Sequence, residues 1–399
     1  MTPERAVIVG ASHAGAQLAA NLRREGWSGE VVLIGDEGGL PYHRPPLSKG
    51  YLAGKNGLDD LLIRGADFYE KQHIRLLNAT VEAIHRSAKR VSLSTGDTLT
   101  YTKLALCTGA RARRLPTPGV DLPGIHYLRT AADVELIRAA ATPGRRVVIV
   151  GGGYIGLETA ASLCSLGMNV TVLEATERVL ERVTAPEVSA FYTRIHRGEG
   201  VEIRTHALVE AFSGNGGVQE VVLADGESIP ADLVIVGVGV VPNTELASAA
   251  GLSVDNGIVI DDQARTSDPD IVAAGACRSH TMARYGSRIR LESVSSAGEQ
   301  AKIAAATICG KHSAIAALPW FWSDQYDLKL QIAGLNAGYD ELLLSGDPSR
   351  DRDFSCFYFR EGELIAADCV NRPRDFMSSK RAISQQLRVD RSELLAGSI

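Results

Sequence analysis

Two short stretches of this chain share one pattern, in which an apolar strand leads through a glycine-rich turn into a helix. They are AVIVGASHAGAQ at residues 6–17 and VVIVGGGYIGLE at residues 147–158. Their first glycines, Gly10 and Gly151, lie 141 positions apart. This period is too long for a solenoid repeat, so the pattern indicates two duplicated domains. Each domain is expected to be built on strand–helix–strand units with parallel strands.

The second turn satisfies the GxGxxG pattern through Gly151, Gly153 and Gly156. In such a turn the first glycine allows the tight bend, the second admits a pyrophosphate and the third packs the helix on the strand. The helix N-terminus then supplies free N–H groups to the phosphates. Glu174 ends the next strand, 23 residues after Gly151, where a carboxylate can bind a ribose diol. These features together predict a dinucleotide site.

The first turn has serine at the position of the middle glycine, since it reads Gly10-Ala11-Ser12-His13-Ala14-Gly15. Serine is small, and its hydroxyl can donate to a phosphate. Asp36 follows the next strand at the place expected for a ribose ligand. We therefore predict a second dinucleotide here, with His13 as a loop residue beside the pyrophosphate.

Regular structure is predicted around both turns and in the last eighty or so residues. Residues 38–54, GGLPYHRPPLSKGYLAG, are too rich in glycine and proline for regular structure. Residues 114–124 hold three prolines and are predicted to be a linker or domain crossing. From Trp320 onward, alternating runs such as FSCFYF predict a separate α/β domain with an antiparallel sheet. The predicted elements are strands at Ala6–Val9, Glu30–Ile34, Arg146–Val150 and Asn169–Leu173, and helices at Ala14–Arg24, Ile155–Leu166 and near Ser378–Leu387.

Composition excludes several classes of protein. The 399 residues suggest two or three domains, and 45% hydrophobic with 22% charged residues is ordinary for a soluble globular protein. A net charge of −5 argues against a general nucleic-acid binder. There is no apolar run of about 18 residues for a membrane span and no evident signal peptide, so we expect a cytoplasmic location. The six cysteines form no CxxC motif, which favours isolated reduced thiols over a metal cluster or a vicinal disulfide.

Two dinucleotides on one chain suggest redox chemistry, because a nicotinamide can deliver a hydride and a flavin can release electrons singly. Further distinctive stretches are YHRPPLSK (42–49), LALCTGARARRLP (104–116), VIVGVGVVPN (234–243), ESVSSAGEQAKIAA (292–305) and PWFWSDQYD (319–327). Together they resemble, almost end to end, the FAD-dependent, NADH-using ferredoxin reductases of bacterial oxygenase systems, the putidaredoxin reductase-like family.

This resemblance implies an α/β protein with a glutathione-reductase-like fold, which has two Rossmann-type dinucleotide-binding domains and a C-terminal α+β domain. The implied domains are an FAD-binding domain at 1–113 and 245–319, a NAD-binding domain at 114–244 and a C-terminal domain at 320–399. The implied activity transfers a hydride from NADH to FAD and then single electrons to a [2Fe-2S] ferredoxin. That ferredoxin would serve a cytochrome P450 or a Rieske-type oxygenase.

The resemblance also implies functional residues. Lys49 and Glu158 would pair near the nicotinamide–flavin contact, and Trp322 would lie near the isoalloxazine; these three are the predicted catalytic residues. FAD contacts are implied at Ala14, Asp36, Arg44, Lys49, Val81, Arg129 and Val294. The predicted cofactor-binding set is completed by Gly10, Ser12, His13, Gly15, Thr108, Gly109, Gly151, Gly153, Tyr154, Ile155, Gly156, Glu174, Gly237, Gly275, Ala276 and Trp322. No metal site is predicted.

One departure from the family concerns the flavin, because Ala276 stands where the family has an aspartate that binds the ribityl chain. Ferredoxin docking is predicted at a set of basic residues, and the chain itself is expected to be a monomer or a weak dimer. The docking residues are Lys302, Arg372, Arg374, Lys380 and Arg381.

Two other functions stay open on the same fold. A disulfide reductase or NADH oxidase would need a cysteine at the flavin, and the stretch GGLPYHRPPLSK has none. A redox sensor that binds flavin and NADH is the other alternative, since a sensor would tolerate a flavin site weakened at Ala276.

Overall fold

The computed structural model describes residues 4–396 and divides them into two compact units. The first unit comprises the described residues up to His43, Asp59–Arg111 and Val241–Pro319. The second comprises Arg44–Leu58, Ala112–Val240 and the described residues from Trp320 onward. Residues 44–58, which we assigned to the FAD-binding domain, group with the second unit, as does the C-terminal segment. Which unit binds which cofactor stays a prediction.

The strands are numbered in chain order. In the first half they are β1 (Arg5–Val9), β2 (Glu30–Gly35), β3 (Ile74–Asn78), β4 (Val81–His85), β5 (Arg90–Leu93), β6 (Thr98–Thr100), β7 (Lys103–Leu106), β8 (Ala110–Ala112), β9 (Ile125–Tyr127), β10 (Arg146–Val150), β11 (Asn169–Leu173), β12 (Glu202–Arg204) and β13 (Val209–Ser213). In the second half they are β14 (Glu220–Leu223), β15 (Ser228–Pro230), β16 (Leu233–Val236), β17 (Val240–Pro242), β18 (Ile258–Val259), β19 (Ile271–Ala273), β20 (Arg278–Met282), β21 (Ser287–Ile289), β22 (Trp320–Gln325), β23 (Leu328–Gly334), β24 (Glu341–Ser345), β25 (Phe354–Arg360) and β26 (Glu363–Val370).

The α-helices lie between these strands and at the C-terminal end of the described chain. They are α1 (His13–Glu25), α2 (Ala66–Lys71), α3 (Ala131–Ala140), α4 (Tyr154–Ser165), α5 (Pro186–Gly198), α6 (Glu245–Ala249), α7 (Val294–Ile308), α8 (Pro373–Ser384) and α9 (Arg391–Ala396). Short 3₁₀ helices lie at Pro45–Ser48, Asp59–Leu61 and Ala283–Tyr285. No helix in this described part combines the length and apolar character that a membrane span requires.

A five-stranded parallel sheet forms the centre of the first unit, in the order β19-β7-β1-β2-β3. Its central strands are buried on both faces, which explains why the sequences of β1 and β2 are nearly continuous runs of apolar residues. Helices α1 and α7 pack against each other, and small buried residues such as Ala19 and Ala301 let their backbones approach closely. Two three-stranded sheets, β4-β5-β6 and β18-β20-β21, complete this unit.

The second unit contains another five-stranded parallel sheet, in the order β12-β11-β10-β16-β9. It also contains the antiparallel sheet β13-β14-β15 and a five-stranded antiparallel sheet, β22-β23-β26-β25-β24. The repeat of parallel sheets and the antiparallel C-terminal sheet confirm the predicted fold class. The C-terminal helix near Ser378–Leu387 begins earlier than predicted, at Pro373, because proline is well suited to the first turn of a helix.

Candidate active site

Loops that carry predicted cofactor residues meet at one edge of the first parallel sheet. Gly10 follows β1, Asp36 follows β2, Thr108 follows β7 and Gly275 follows β19. Since all these strands are parallel, their carboxyl ends lie at the same edge, which is where open α/β sheets bind ligands. Asp36 is exposed there, and the Thr108 hydroxyl donates to the Asn243 carbonyl at 2.6 Å. Gly109, next to it, has a φ of 66°.

The first glycine-rich turn is closed by contacts that only glycine permits. Gly10 has a φ of 108°, and a Cβ at this position would overlap the Cys107 carbonyl oxygen. A Cβ on Gly15 would overlap the Gly10 carbonyl oxygen, so α1 begins directly against the end of β1. Ser12 is the N-cap of α1, with extended backbone angles. The turn therefore has the close strand–helix approach that a dinucleotide cradle requires, despite its serine.

His13 and Ala14, the first two residues of α1, have different surroundings. His13 Nε2 lies 3.1 Å from Nδ1 of His43, and burial, aided by Arg64, lowers the pKa of His43. Ala14 is buried, and a Cβ on Gly275 would come within 3.0 Å of its methyl group. A larger residue at either position would close the space between the turn and the loop after β19.

The loop after β19 carries Ala276, the departure from the family. The Gly275 amide donates to Gln300 Oε1 on α7 at 2.8 Å, which fixes this loop to the helix. Arg278, two positions further along the chain, is fully buried and its guanidinium contacts His280. Val81 begins β4 and is buried, while Val294 begins α7.

If a flavin binds here, the Ala276→Asp variant should hold it more tightly than the natural chain. A hydrogen bond to a charged group contributes about 1.5–3 kcal/mol, which corresponds to about ten- to a hundredfold in affinity. Flavin fluorescence and FAD retained after dialysis would measure the change. Ala276→Asn is the matched control and should gain less affinity for FAD, because its amide oxygen is a neutral acceptor. An equal FAD dissociation constant for Ala276→Asp and the natural chain would show that the missing carboxylate is no defect.

The second glycine-rich turn repeats this construction in the second unit. A Cβ on Gly151 would lie 2.5 Å from the carbonyl oxygen of Gly237, and a Cβ on Gly156 would overlap the Gly151 carbonyl. A Cβ on Gly153, the N-cap of α4, would meet nothing within 4 Å. The middle glycine thus faces open space at the start of a twelve-residue helix, which is where a pyrophosphate would lie. Ile155, one position into this helix, is 40% exposed.

Glu174 connects the end of β11 to this glycine-rich turn. Its Oε2 accepts from the Gly152 amide at 2.8 Å, and its Oε1 accepts from the Thr176 amide at 2.9 Å. Arg178, four positions further along the chain, donates to the carbonyl oxygens of Thr184 and Glu181. These bonds engage Arg178 away from Glu174, which stays the predicted ribose ligand.

Lys49 and Glu158 form an ion pair, with Nζ 2.7 Å from Oε2. Glu158 lies four residues into α4 and is only 4% exposed, and Lys49 follows the 3₁₀ helix Pro45–Ser48 with 18% exposure. Two hydroxyls also donate to this carboxylate at 2.6 Å, from Ser48 to Oε2 and from Ser323 to Oε1. The charge of Glu158 is thus compensated by one cation and two hydroxyls. The predicted pairing exists, and its role in hydride transfer stays a prediction.

Sequence reasoning missed both serines. Ser48 is 110 residues from Glu158 in sequence, and Ser323 is 165 residues away. Both belong to stretches that we had singled out, YHRPPLSK and PWFWSDQYD, but for other residues. No local spacing indicates such a contact, because it depends on how the C-terminal sheet packs against α4.

Aromatic rings cluster near this ion pair. Tyr154, the first residue of α4, packs on Phe321 with ring centroids 4.8 Å apart. Trp322 stacks on Trp320 at 5.6 Å, and the Lys380 ammonium lies 4.6 Å from the centroid of the Trp320 ring. Both tryptophans are half-buried, so neither is an ordinary core residue. Whether Trp322 contacts a flavin stays a prediction.

Arg44 and Arg129, two further predicted flavin residues, both belong to the second unit. Arg44 Nη1 donates to the Arg129 carbonyl at 2.7 Å. The Arg129 amide donates to Asp133, whose side chain also completes the capping box at the start of α3. The Arg44 side chain and the Arg129 backbone are thereby held together at one helix N-terminus.

The predicted docking residues differ in their exposure and in whether an acidic residue pairs with them. Lys302, on α7, is exposed, as are Arg374 and Arg381 on α8. Arg372 pairs with Asp353 at 3.1 Å and lies 3.7 Å from Asp375, so its charge is largely neutralised. Among residues 4–396, no group of three or more His, Cys, Asp or Glu side chains is arranged to hold a metal ion.

Comparison with known proteins gives consistent results. Residues 4–301 match the family described as pyridine nucleotide-disulphide oxidoreductase, and residues 320–398 match the family described as reductase C-terminal. Putidaredoxin reductase of Pseudomonas putida is 47% identical over 97% of this chain and 93% of that protein. A ferredoxin–NAD(P)(+) reductase of a Sphingomonas species is 45% identical over 96% of this chain and 94% of its own length. The reductase in the crystal structure of a covalent putidaredoxin reductase–putidaredoxin complex superposes with a TM-score of 0.95, at 45% identity and 99% coverage of both chains.

Proposed function

The chain belongs to the pyridine nucleotide-disulphide oxidoreductase family, and from this premise we propose that it is an FAD-dependent NADH:ferredoxin oxidoreductase serving an oxygenase. The observation that carries the proposal is the buried Lys49–Glu158 ion pair beside the glycine-rich turn of α4. The relatives named as ferredoxin reductases cover nearly the whole chain and support the same activity. NADH and two oxidised ferredoxins would give NAD⁺, a proton and two reduced ferredoxins.

The parallel sheet of the first unit is proposed to hold FAD, and that of the second unit to hold NADH. When bound, FAD accepts a hydride and releases its electrons singly. On this chain, Gly10 and Gly15 close the first cradle, and Gly151 and Gly156 close the second. The N-termini of α1 and α4 then supply N–H groups to the two pyrophosphates.

Lys49 and Glu158 would orient the nicotinamide for hydride transfer. Both charges are largely removed from water, so their mutual attraction is stronger than that of a surface pair and holds the two side chains in one arrangement. A fixed arrangement costs no reorganisation during the reaction.

Ferredoxin-dependent reduction of cytochrome c tests the proposal. With NADH and the FAD-loaded chain, cytochrome c should be reduced rapidly only when a [2Fe-2S] ferredoxin is added. A panel of ferredoxins would identify the partner. If no ferredoxin accelerates the reaction although NADH still bleaches the flavin, the redox-sensor alternative is favoured. Since NADH and reduced thiols both belong to the cytoplasm, we propose that location.

The cysteines are proposed to play no part in electron transfer. All six are free thiols, and burial raises the pKa of Cys107 and Cys356 well above the usual value, which keeps them protonated and unreactive. Each Cys→Ala variant that folds should therefore retain NADH–ferricyanide activity within about twofold of the natural chain. Far-UV circular dichroism would establish folding. Loss of activity in a folded single variant would favour the disulfide reductase alternative.

Lys302 is proposed to steer the ferredoxin. The Lys302→Glu variant should raise KM for ferredoxin several-fold at low salt, because exposed charge accelerates association and is screened by ions. Its NADH–ferricyanide activity should be unchanged. Lys71→Glu is the matched control, with the same change in net charge at another exposed lysine of the first unit. Equal ferredoxin kinetics for both variants would remove Lys302 from the docking surface.

A further inference from the structure

A series of largely buried hydrogen bonds leads from Glu158 through the second unit. Ser323 donates to Glu158 Oε1 at 2.6 Å, and Gln325 Nε2 donates to Ser323 Oγ at 3.2 Å. Gln325 Oε1 then lies 2.8 Å from His196 Nε2, and His196 Nδ1 lies 3.1 Å from the Tyr326 hydroxyl. Ser323 and Gln325 are two positions apart on β22 and so share one face of the strand. His196 is on α5 and fully buried.

The carboxylate fixes the direction of every bond in this chain. An ionised carboxylate only accepts, so Ser323 must donate its single proton to Glu158. Ser323 then accepts from the Gln325 amide nitrogen, which directs the Gln325 carbonyl oxygen toward His196. A carbonyl oxygen also only accepts, so His196 must carry its proton on Nε2. Its Nδ1 is left as an acceptor for the Tyr326 hydroxyl.

The histidine can take only this form inside the protein. Burial lowers the pKa of His196 to about 4, so the ring is neutral at physiological pH and carries one proton. Every donor from Tyr326 to Ser323 points toward Glu158, and bonds aligned in this way polarise one another. A primary amide does not relay protons readily, so Gln325 interrupts any proton pathway. This series of hydrogen bonds therefore acts by orienting the side chains and not by transferring protons.

We infer that Ser323, Gln325 and His196 are positioning residues that hold the Glu158 carboxylate, and through it Lys49, in the arrangement used for hydride transfer. The inference rests on the proposed function for that last step only. The structural part, which is the coupling of the His196 tautomer to the charge of Glu158, holds without any cofactor or partner.

The Glu158→Gln variant gives the sharpest test of this coupling. Lys49 only donates, so the new amide must direct its oxygen toward Lys49 and Ser48 and its nitrogen toward Ser323. Ser323 would then accept from residue 158 and donate to Gln325. The Gln325 amide would turn over and donate to His196 Nε2, which moves the histidine proton to Nδ1. The substitution at residue 158 thus changes which ring nitrogen of the distant His196 carries the proton.

Nitrogen-15 NMR of the cofactor-free full chain, labelled at histidine, reads out the tautomer directly. In the natural chain, His196 should be in the Nε2–H form from pH 6 to pH 9. In Glu158→Gln it should be largely in the Nδ1–H form. Lys49→Met is the matched control, since it removes the other half of the ion pair but keeps the acceptor-only carboxylate. It should keep the Nε2–H form.

Further variants keep the test decisive if one protein fails to fold. Ser323→Ala interrupts the series of hydrogen bonds, so His196 should become a mixture of the two tautomers. Ser379 is another buried serine of the second unit, and Ser379→Ala should leave the His196 tautomer unchanged. An unchanged His196 tautomer in both folded Glu158→Gln and Ser323→Ala would overturn the inference.

The positioning role has its own kinetic readout in the FAD-loaded chain. Ser323→Ala should slow flavin reduction by NADH on the order of tenfold, with little change in the dissociation constant of NADH. An unchanged reduction rate would overturn the positioning role. If instead the tautomer results hold and the chain fails to reduce any ferredoxin, only the proposed function falls.

Discussion

With NADPH in place of NADH, we expect kcat/KM for flavin reduction to fall about a hundredfold or more. On the proposed assignment, the Glu174 carboxylate would face the adenosine ribose, accept from the 2′-hydroxyl of NADH and repel the 2′-phosphate of NADPH. Juxtaposed like charges cost several kcal/mol, and each 1.4 kcal/mol is tenfold in affinity.

The structure strengthens this expectation. Glu174 is anchored by the amides of Gly152 and Thr176, so it cannot easily move away from an incoming phosphate. Arg178, the cation next to it in sequence, donates to Thr184, Ser189 and Glu181. These three bonds hold the guanidinium within the protein, so it would have to break them to turn toward the phosphate.

A pair of variants tests the assignment. Glu174→Ala should lose most of the discrimination between the two cofactors, mainly through weaker use of NADH and better use of NADPH. Glu177→Gln removes a nearby exposed charge and should change the ratio little. Steady-state kinetics with both cofactors and ferricyanide would measure this ratio. Comparable kcat/KM for NADH and NADPH in the natural chain would contradict the assignment.

The second large effect is expected at the ion pair. Lys49→Met leaves a carboxylate that is 4% exposed without its cation, and breaking one partner of a buried pair costs about 3–5 kcal/mol. The free energy of unfolding, measured with urea, should fall by that amount. Flavin reduction by NADH should slow on the order of a hundredfold, since small misplacements of reacting groups have effects of this size.

The double variant Lys49→Met with Glu158→Gln separates the two contributions. It removes both charges and should recover much of the lost stability, giving a strong non-additive term in the double-mutant cycle. Its flavin reduction should stay slow. Lys380→Met is the control, because that ammonium lies over the Trp320 ring and its loss should cost about 1 kcal/mol. Additive losses from Lys49 and Glu158 would show that the pair is not coupled.

Local elements of the fold could be predicted from the sequence with good accuracy. The strands at Arg146–Val150 and Asn169–Leu173 have the predicted bounds, because each is an apolar run that ends at a glycine or an acidic residue. The helices after both glycine-rich turns begin one residue earlier than predicted, at His13 and Tyr154. Helix ends are set by capping geometry, which a hydrophobic pattern defines only within one or two residues.

Charged residues were harder to interpret, because their partners lie far away in sequence. Arg372 was predicted to be part of a docking surface, whereas Asp353 and Asp375 neutralise most of its charge. Lys380 lies over an aromatic ring of β22. The sequence shows that a cation is present, but the availability of its charge depends on packing.

The sequence by itself determined the two nucleotide cradles and the acidic residues that follow them, because a tight turn and a strand end are local features. Gly15 and Gly156 are required by carbonyl oxygens of the same turn, and Gly10 and Gly151 by the residues that follow the neighbouring parallel strand. What only the tertiary structure decided is the polar environment of Glu158. Ser48, Ser323 and the bonds that lead to His196 come from separate parts of the chain. Each hydroxyl acquires a role only when packing excludes water from the carboxylate.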